Sequence, residues 1–161
     1  MIRYNEQTLQ KYLEALAARE PVPGGGSASA ICGSLAAALI GMVARYSFGK
    51  NKPPEIEKKL EAILKEADAA RIRLLELAGE DAQAYADTVT AKKESPEAYL
   101  KALKKAGAVP RDIIRTCLKV HEAVPFLMNE GNKYLVSDVH AADALLKGAV
   151  AAADIMIEAN Q

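Results

Sequence analysis

The sequence carries no surplus charge of either sign. Its 21 Lys and Arg balance 21 Asp and Glu, so the formal net charge is zero. That removes the global basic excess of a nucleic-acid binder, and no Lys/Arg-rich block forms a membrane-surface patch. Cysteine and histidine are scarce, two of each. Cys32 and Cys117 fall in apolar helical patterns without metal-type spacing, which reads as reduced core thiols in a cytosolic protein. There is no P-loop, no nucleophile elbow and no metal-spaced His/Cys cluster. The polar start, Met1-Ile2-Arg3-Tyr4-Asn5-Glu6, lacks the apolar run of a signal peptide. No alternating β-branched run competes with the helical patterns, and neither a repeat nor a second domain is visible. At 161 residues the chain fits one domain with room for a real core.

What is present is organised around Pro21-Val22-Pro23-Gly24-Gly25-Gly26-Ser27. The prolines make an extended, stiff lead. Three glycines then admit unusual backbone conformations or the close approach of another group. Ser27 is placed to cap a helix running to about Ser47. The start of that helix offers unpaired N–H groups to an anion or a polar ligand edge. From Ser27 to Ala44 no residue is charged. The run is dominated by Ala, Gly and Ser, so it reads as a buried soluble helix and not as a membrane span. Gly33, Ala37 and Gly41 recur every four residues, a smooth stripe for close helix packing. Such a helix must be covered, by the bundle or by a second subunit.

Around it the periodicity predicts helices throughout. Residues 5–19 place Leu9, Tyr12, Leu13 and Leu16 on one face, with Pro21 ending the helix. Gly49 suits the stop of the small-residue helix. Pro53-Pro54 opens a long helix to about Lys93 that Gly79 loosens midway. Ser95-Pro96 caps the next, and Pro110 and Pro125 kink it or divide it before Gly131. Ser137-Asp138 reads as the N-cap pair of the last helix. The expected class is all-α, an antiparallel bundle.

Few polar residues stand out. Asp81 lies four residues before Tyr85, on the same face of the long helix. A carboxylate on an otherwise apolar face is paired, exposed or functional. Lys50 follows the small-residue helix. His121 sits among core-like positions, whereas His140 is two residues past Asp138, near a helix start.

Three stretches together resemble the cyclodeaminase/cyclohydrolase family, the folate-processing domain of formiminotransferase-cyclodeaminase and of methenyltetrahydrofolate cyclohydrolases. They are Glu20–Ala28 continued through Met42-Val43-Ala44 to Gly49-Lys50, then Glu80-Asp81-Ala82-Gln83-Ala84-Tyr85, then Gly131-Asn132 followed by Val136-Ser137-Asp138-Val139. The resemblance implies an all-α homodimer with a folate site built from helix ends near the subunit interface. It implies one of two activities, hydrolysis of 5,10-methenyltetrahydrofolate to formyltetrahydrofolate, or closure of formiminotetrahydrofolate with loss of ammonia. A helical dimer that binds folate without turnover is the alternative of another class. No metal and no organic cofactor is implied. By position in the matched motifs, Asp81, Asp138 and Lys50 would be catalytic. Gly24, Gly25, Gly26, Ser27, Tyr85, Asn132, Ser137 and His140 would bind substrate. A carboxylate beside the cationic methenyl bridge stabilises it and can move a proton.

Overall fold

A computed structural model describes residues 2–49 and 52–159. Among these, no strand forms. A 3-10 turn at Tyr4–Glu6 precedes α1 (Leu9–Ala17), α2 (Gly25–Ser47), α3 (Pro54–Glu94), α4 (Pro96–Ala106), α5 (Ala108–His121) and α6 (Val124–Glu130). A second 3-10 turn, Lys133–Leu135, runs directly into α7 (Val136–Ala159). The all-α expectation holds.

α2 is the axis of the bundle. Its small residues let neighbours approach to backbone distance, and three contacts set α3 antiparallel to it. A Cβ built at Gly41 would lie 3.7 Å from Ala67 Cβ, one at Gly33 would lie 3.3 Å from Leu74, and one at Gly26 would strike Asp81. α7 is antiparallel to α2 as well. Gly25 abuts Met156, the Cys32 thiol donates to the Leu145 carbonyl at 3.5 Å, and the Asn132 side chain donates to the Tyr46 carbonyl at 3.0 Å. α5 closes the core from a third side, where Cys117 Sγ would stand 2.6 Å from a Gly33 Cβ. The Gly33/Ala37/Gly41 stripe is therefore covered by the chain's own helices. Large side chains at the helix contacts, Ile40, Leu60, Leu74, Leu77, Ile113, Leu127 and Leu146, are fully buried. By length and composition α2 could cross a membrane, but 61% of its most apolar window is packed inside the bundle.

Several local expectations are corrected. The first helix begins at Leu9, capped by the Thr8 hydroxyl, and ends at Ala17, before Pro21. Of its expected apolar face only Tyr12 is buried, while Leu9 and Leu13 are exposed. α2 is capped by Gly24, so Ser27 lies inside the first turn and does not cap. No described glycine has a positive φ. The glycines act here through close approach, and Gly49 is not a left-handed stop. Gly79 does not loosen α3, which is continuous and buries it. The Ile2 carbonyl oxygen crosses there, 2.1 Å from where a Cβ would sit. The segment after Pro96 divides in three, because Gly107 and Glu122-Ala123 interrupt it between the prolines. Ser137 and Asp138 lie within α7, which starts at Val136.

Candidate functional site

The N-terminus of α2 meets the middle of α3 at Gly26. A Cβ there would lie 2.1 Å from Asp81 Oδ1 and 2.5 Å from its Cγ. Only glycine leaves room for the carboxyl to rest on the first turn of the helix. First-turn N–H groups lack intrahelical partners. The Ser27 N–H lies close enough to the Asp81 carboxyl to favour its charged form. Two effects compete on this group. Burial raises the Asp81 pKa and dominates, while the Ser27 N–H pulls it down. The net result is a carboxyl above its ordinary range, half-buried and still reached by solvent. A carboxyl of this kind exchanges a proton more readily near neutrality than an exposed one.

Two tyrosines that the apolar pattern hid complete the surroundings. Tyr12 Oη and Ser27 Oγ lie 3.1 Å apart, a buried hydrogen bond. Tyr4 packs edge-on against Tyr12, with ring centroids 5.2 Å apart and planes at 77°. Burial raises both phenols, and the nearby Asp81 charge adds to it. Their number modulo the helical period made Tyr12 look like core, and the 3-10 turn carrying Tyr4 has no periodic signal. Tyr85, one turn beyond Asp81, is 49% exposed.

The structure thus brings together Gly24, Gly25, Gly26, Ser27, Asp81 and Tyr85. The other candidates gather at the far end of α2, about 30 Å away along its axis. There the Asn132 N–H donates to Ser47 Oγ at 2.9 Å, its side-chain amide to the Tyr46 carbonyl, and its side-chain oxygen accepts from the Tyr134 N–H. Asn132 clasps the helix end, with both polar atoms of its side chain hydrogen-bonded. Asp138 lies partly exposed in the first turn of α7, and Ser137 and His140 beside it are exposed. Lys50 lies outside the described residues. Within one chain Asp138, Ser137 and His140 therefore do not share a site with Asp81, because α7 runs antiparallel to α2. His121, expected among core positions, is part-exposed and paired with a carboxylate. Its Nε2 pairs with Asp143 Oδ1 at 2.7 Å, and Lys147 holds the other oxygen at 2.6 Å. Lys147, then His121, hold the Asp143 carboxyl below its usual range.

Among the described residues no group of three or more His, Cys, Asp or Glu side chains could hold a metal ion. Both thiols are free, and burial pushes Cys117 up to about 12.

Comparison with known proteins bears on the family. The chain is 31% identical over 146 residues to the methenyltetrahydrofolate cyclohydrolase of Methylorubrum extorquens, covering 84% of this chain and 70% of that protein. It is 28% identical over 155 residues to the formimidoyltransferase-cyclodeaminase of Mus musculus, covering 90% of this chain but only 29% of that protein. The crystal structure of formiminotetrahydrofolate cyclodeaminase from Thermotoga maritima superposes with a TM-score of 0.93 at 31% identity, over 97% of this chain and 79% of that one. A sequence model of the formiminotransferase-cyclodeaminase family matches residues 8–161. With that match, and with the shared helical architecture around its glycine turn, this chain belongs to the formiminotransferase-cyclodeaminase family.

Proposed function

We propose that this chain is a folate one-carbon enzyme that hydrolyses 5,10-methenyltetrahydrofolate to formyltetrahydrofolate. The observation that carries the reading is the Asp81 carboxyl, lifted in pKa and seated on the first turn of α2. Similarity to a cyclohydrolase over most of that protein's length supports the choice of reaction. The methenyl bridge is an amidinium cation, and a carboxylate beside it stabilises the charge. Water adds to the bridging carbon, forming a C–O bond while an electron pair returns to nitrogen. Asp81 takes one proton from that water and returns it to the nitrogen that leaves as the ring C–N bond breaks, while the remaining hydroxyl proton passes to solvent as the formyl C=O forms. Tyr85 lies against the flat part of the substrate. The reaction draws on side chains alone, so exhaustive chelation leaves the rate unchanged.

The site is completed by a second copy. Ala28, Ile31, Leu35, Ala38, Met42 and Tyr46 recur three and four residues apart on the outer face of α2. Leu35 is 54% exposed and Tyr46 66%. An uncharged stripe of this length is costly in water. An antiparallel pairing of two α2 helices covers it, and sets the Asp138 end of one copy beside the Asp81 end of the other. Such a dimer works in the cytoplasm, where its thiols stay reduced.

Loss of methenyltetrahydrofolate absorbance above the uncatalysed background tests the hydrolase. Closure of formiminotetrahydrofolate with ammonia release is the second reading, favoured by the Thermotoga maritima structure. Ammonia measured with the formimino compound separates the two. Turnover of neither, or an Asp81→Asn variant with full turnover, refutes the proposal.

A further inference from the structure

We infer that Tyr12 is a positioning residue for the Asp81 carboxyl, acting through Ser27. The inference rests on the reading of Asp81 as the acid of the site, and it begins from the attachment of α1. Of the nine residues of that helix only Tyr12 is buried. Leu9 and Leu13 stand in solvent at 65% and 51% exposure. A helix that buried its leucines would be held by the hydrophobic effect. This one is held by the Tyr12 ring together with the half-buried Leu16, and the Tyr12 hydroxyl lies 3.1 Å from Ser27 Oγ.

Ser27 is fully buried. It does not cap α2, because Gly24 does. Its hydroxyl therefore serves another purpose, and its partner is Tyr12. The Asp81 carboxyl rests on the adjoining Gly26, 2.1 Å from where a Cβ would sit, and the Ser27 N–H beside it favours the charged carboxylate. One residue thus joins the phenol of α1 to the carboxylate of α3 across the first turn of α2. The first turn of a helix is its least restrained part, since its N–H groups are bonded by nothing within the helix. Tying the Ser27 side chain to Tyr12 fixes the direction of the Ser27 N–H. Tyr4 braces the same ring edge-on, and the Ile2 carbonyl resting on Gly79 ties the segment before it to α3.

The titratable groups facing Asp81 are few. Tyr4 comes from the 3-10 turn and Tyr12 from α1. On α3 itself the neighbouring Glu80 is engaged by Arg73 at 2.5 Å. On the α7 segment that brings Met156 to Gly25, Asp154 and Glu158 are exposed. With so little other charge nearby, the Ser27 N–H is the main brake on the Asp81 pKa. Loosening it moves the acid limb of the rate profile upward.

The test is Tyr12→Phe, which keeps the ring packed against Tyr4 and removes only the hydroxyl, together with Ser27→Ala and the double variant. Methenyltetrahydrofolate hydrolysis is followed against pH, and carboxyl carbon NMR of labelled Asp81 reads its titration independently. Circular dichroism confirms that each variant is folded. The expected result for Tyr12→Phe is a fall in kcat of about tenfold with KM within about twofold, as for one lost positioning hydrogen bond. The acid limb and the NMR midpoint both rise by about half a pH unit or more. The double variant is no worse than Ser27→Ala alone, because the two hydroxyls act as one unit. Should wild-type protein turn over neither folate, the enzyme reading falls, and the NMR midpoint alone decides this inference. A folded Tyr12→Phe variant with the Asp81 midpoint unmoved overturns it, as does additivity in the double variant.

Discussion

Gly26→Ala is the most informative single change, because one methyl group probes the seat of Asp81. The added Cβ would lie 2.1 Å from Asp81 Oδ1, 2.5 Å from Cγ and 2.7 Å from Oδ2. The whole carboxyl is in the way, at the end of a short side chain on a packed helix. Two outcomes are open to the protein. If the carboxyl stays, overpacking costs about 1–3 kcal/mol. If it swings aside, it leaves the partial positive charge at the start of α2, a favourable contact worth up to about 2 kcal/mol. Replacing glycine within a helix returns up to about 1 kcal/mol. With the full propensity gain the net loss is about 0–2 kcal/mol, read as a lower midpoint in guanidinium chloride at constant slope. Turnover falls far more than stability, since a displaced carboxyl no longer meets the substrate. The control is the same substitution in an Asp81→Ala background, where no carboxyl opposes the methyl group. There Gly26→Ala costs less by at least about 1 kcal/mol, a coupling that adjoining side chains show. Equal costs in the two backgrounds, or a Gly26→Ala variant with full turnover, would refute the geometry.

Asp81→Asn is expected to be more stable than the parent at pH 7 while losing turnover. The raised pKa means that the folded state holds its proton more tightly than the unfolded one. Stability from this group is full below the ordinary value of 3.8 and is lost as pH rises through the folded pKa, so the advantage of Asn vanishes below about pH 4 in urea titrations. Gly33→Ala meets Cys117 Sγ at 2.6 Å and Leu74 Cδ1 at 3.3 Å, and should lower stability by about 1–3 kcal/mol, with Cys117→Ala in the same chain recovering part of it in chemical denaturation. Leu35→Glu puts a charge in the middle of the outer α2 stripe. Sedimentation should show monomer where the parent is a dimer, and turnover should fall with it; an unaltered sedimentation coefficient would count against the paired α2 helices. Gly79→Ala pushes against the Ile2 carbonyl at 2.1 Å, and hydrogen exchange should show loss of protection before residue 18 with the bundle intact.

Much of the fold was legible because helical periodicity and proline punctuation report burial directly. Pro53-Pro54 and Ser95-Pro96 mark the ends of α3 to within a residue or two. The errors share a cause, which is that a local signal was read where a tertiary contact decides. Ser27 has the chemistry of a cap, but the chain enters the helix two residues earlier and Tyr12 claims the hydroxyl. Gly79 has the propensity of a weak point, yet it is the place where the Ile2 carbonyl crosses. Leu9 and Leu13 have the pattern of a core face, and the single chain leaves them exposed.

The candidate site was half legible for the same reason. Sequence motifs pick out residues of like purpose, but they carry no distance. The first two motifs meet because α3 folds back along α2 until Asp81 reaches Gly26. The third is carried to the opposite end by α7, where Asn132 binds Tyr46 and Ser47. Within one chain no rearrangement of side chains spans about 30 Å of rigid helix. Either the third motif only shapes the end of α2, or a symmetry operation returns it to the first. The two faces of α2 support the second, the pairing proposed above. Its inner face is spent on Ala67, Leu74 and Cys117. Its outer face is apolar, uncharged from Ala28 to Met42, and open. A two-fold axis through the middle of that face, near Leu35 and Ala38, superposes one end of the helix on the other. In the proposed dimer, the contact that hides the stripe from water would also unite the three motifs.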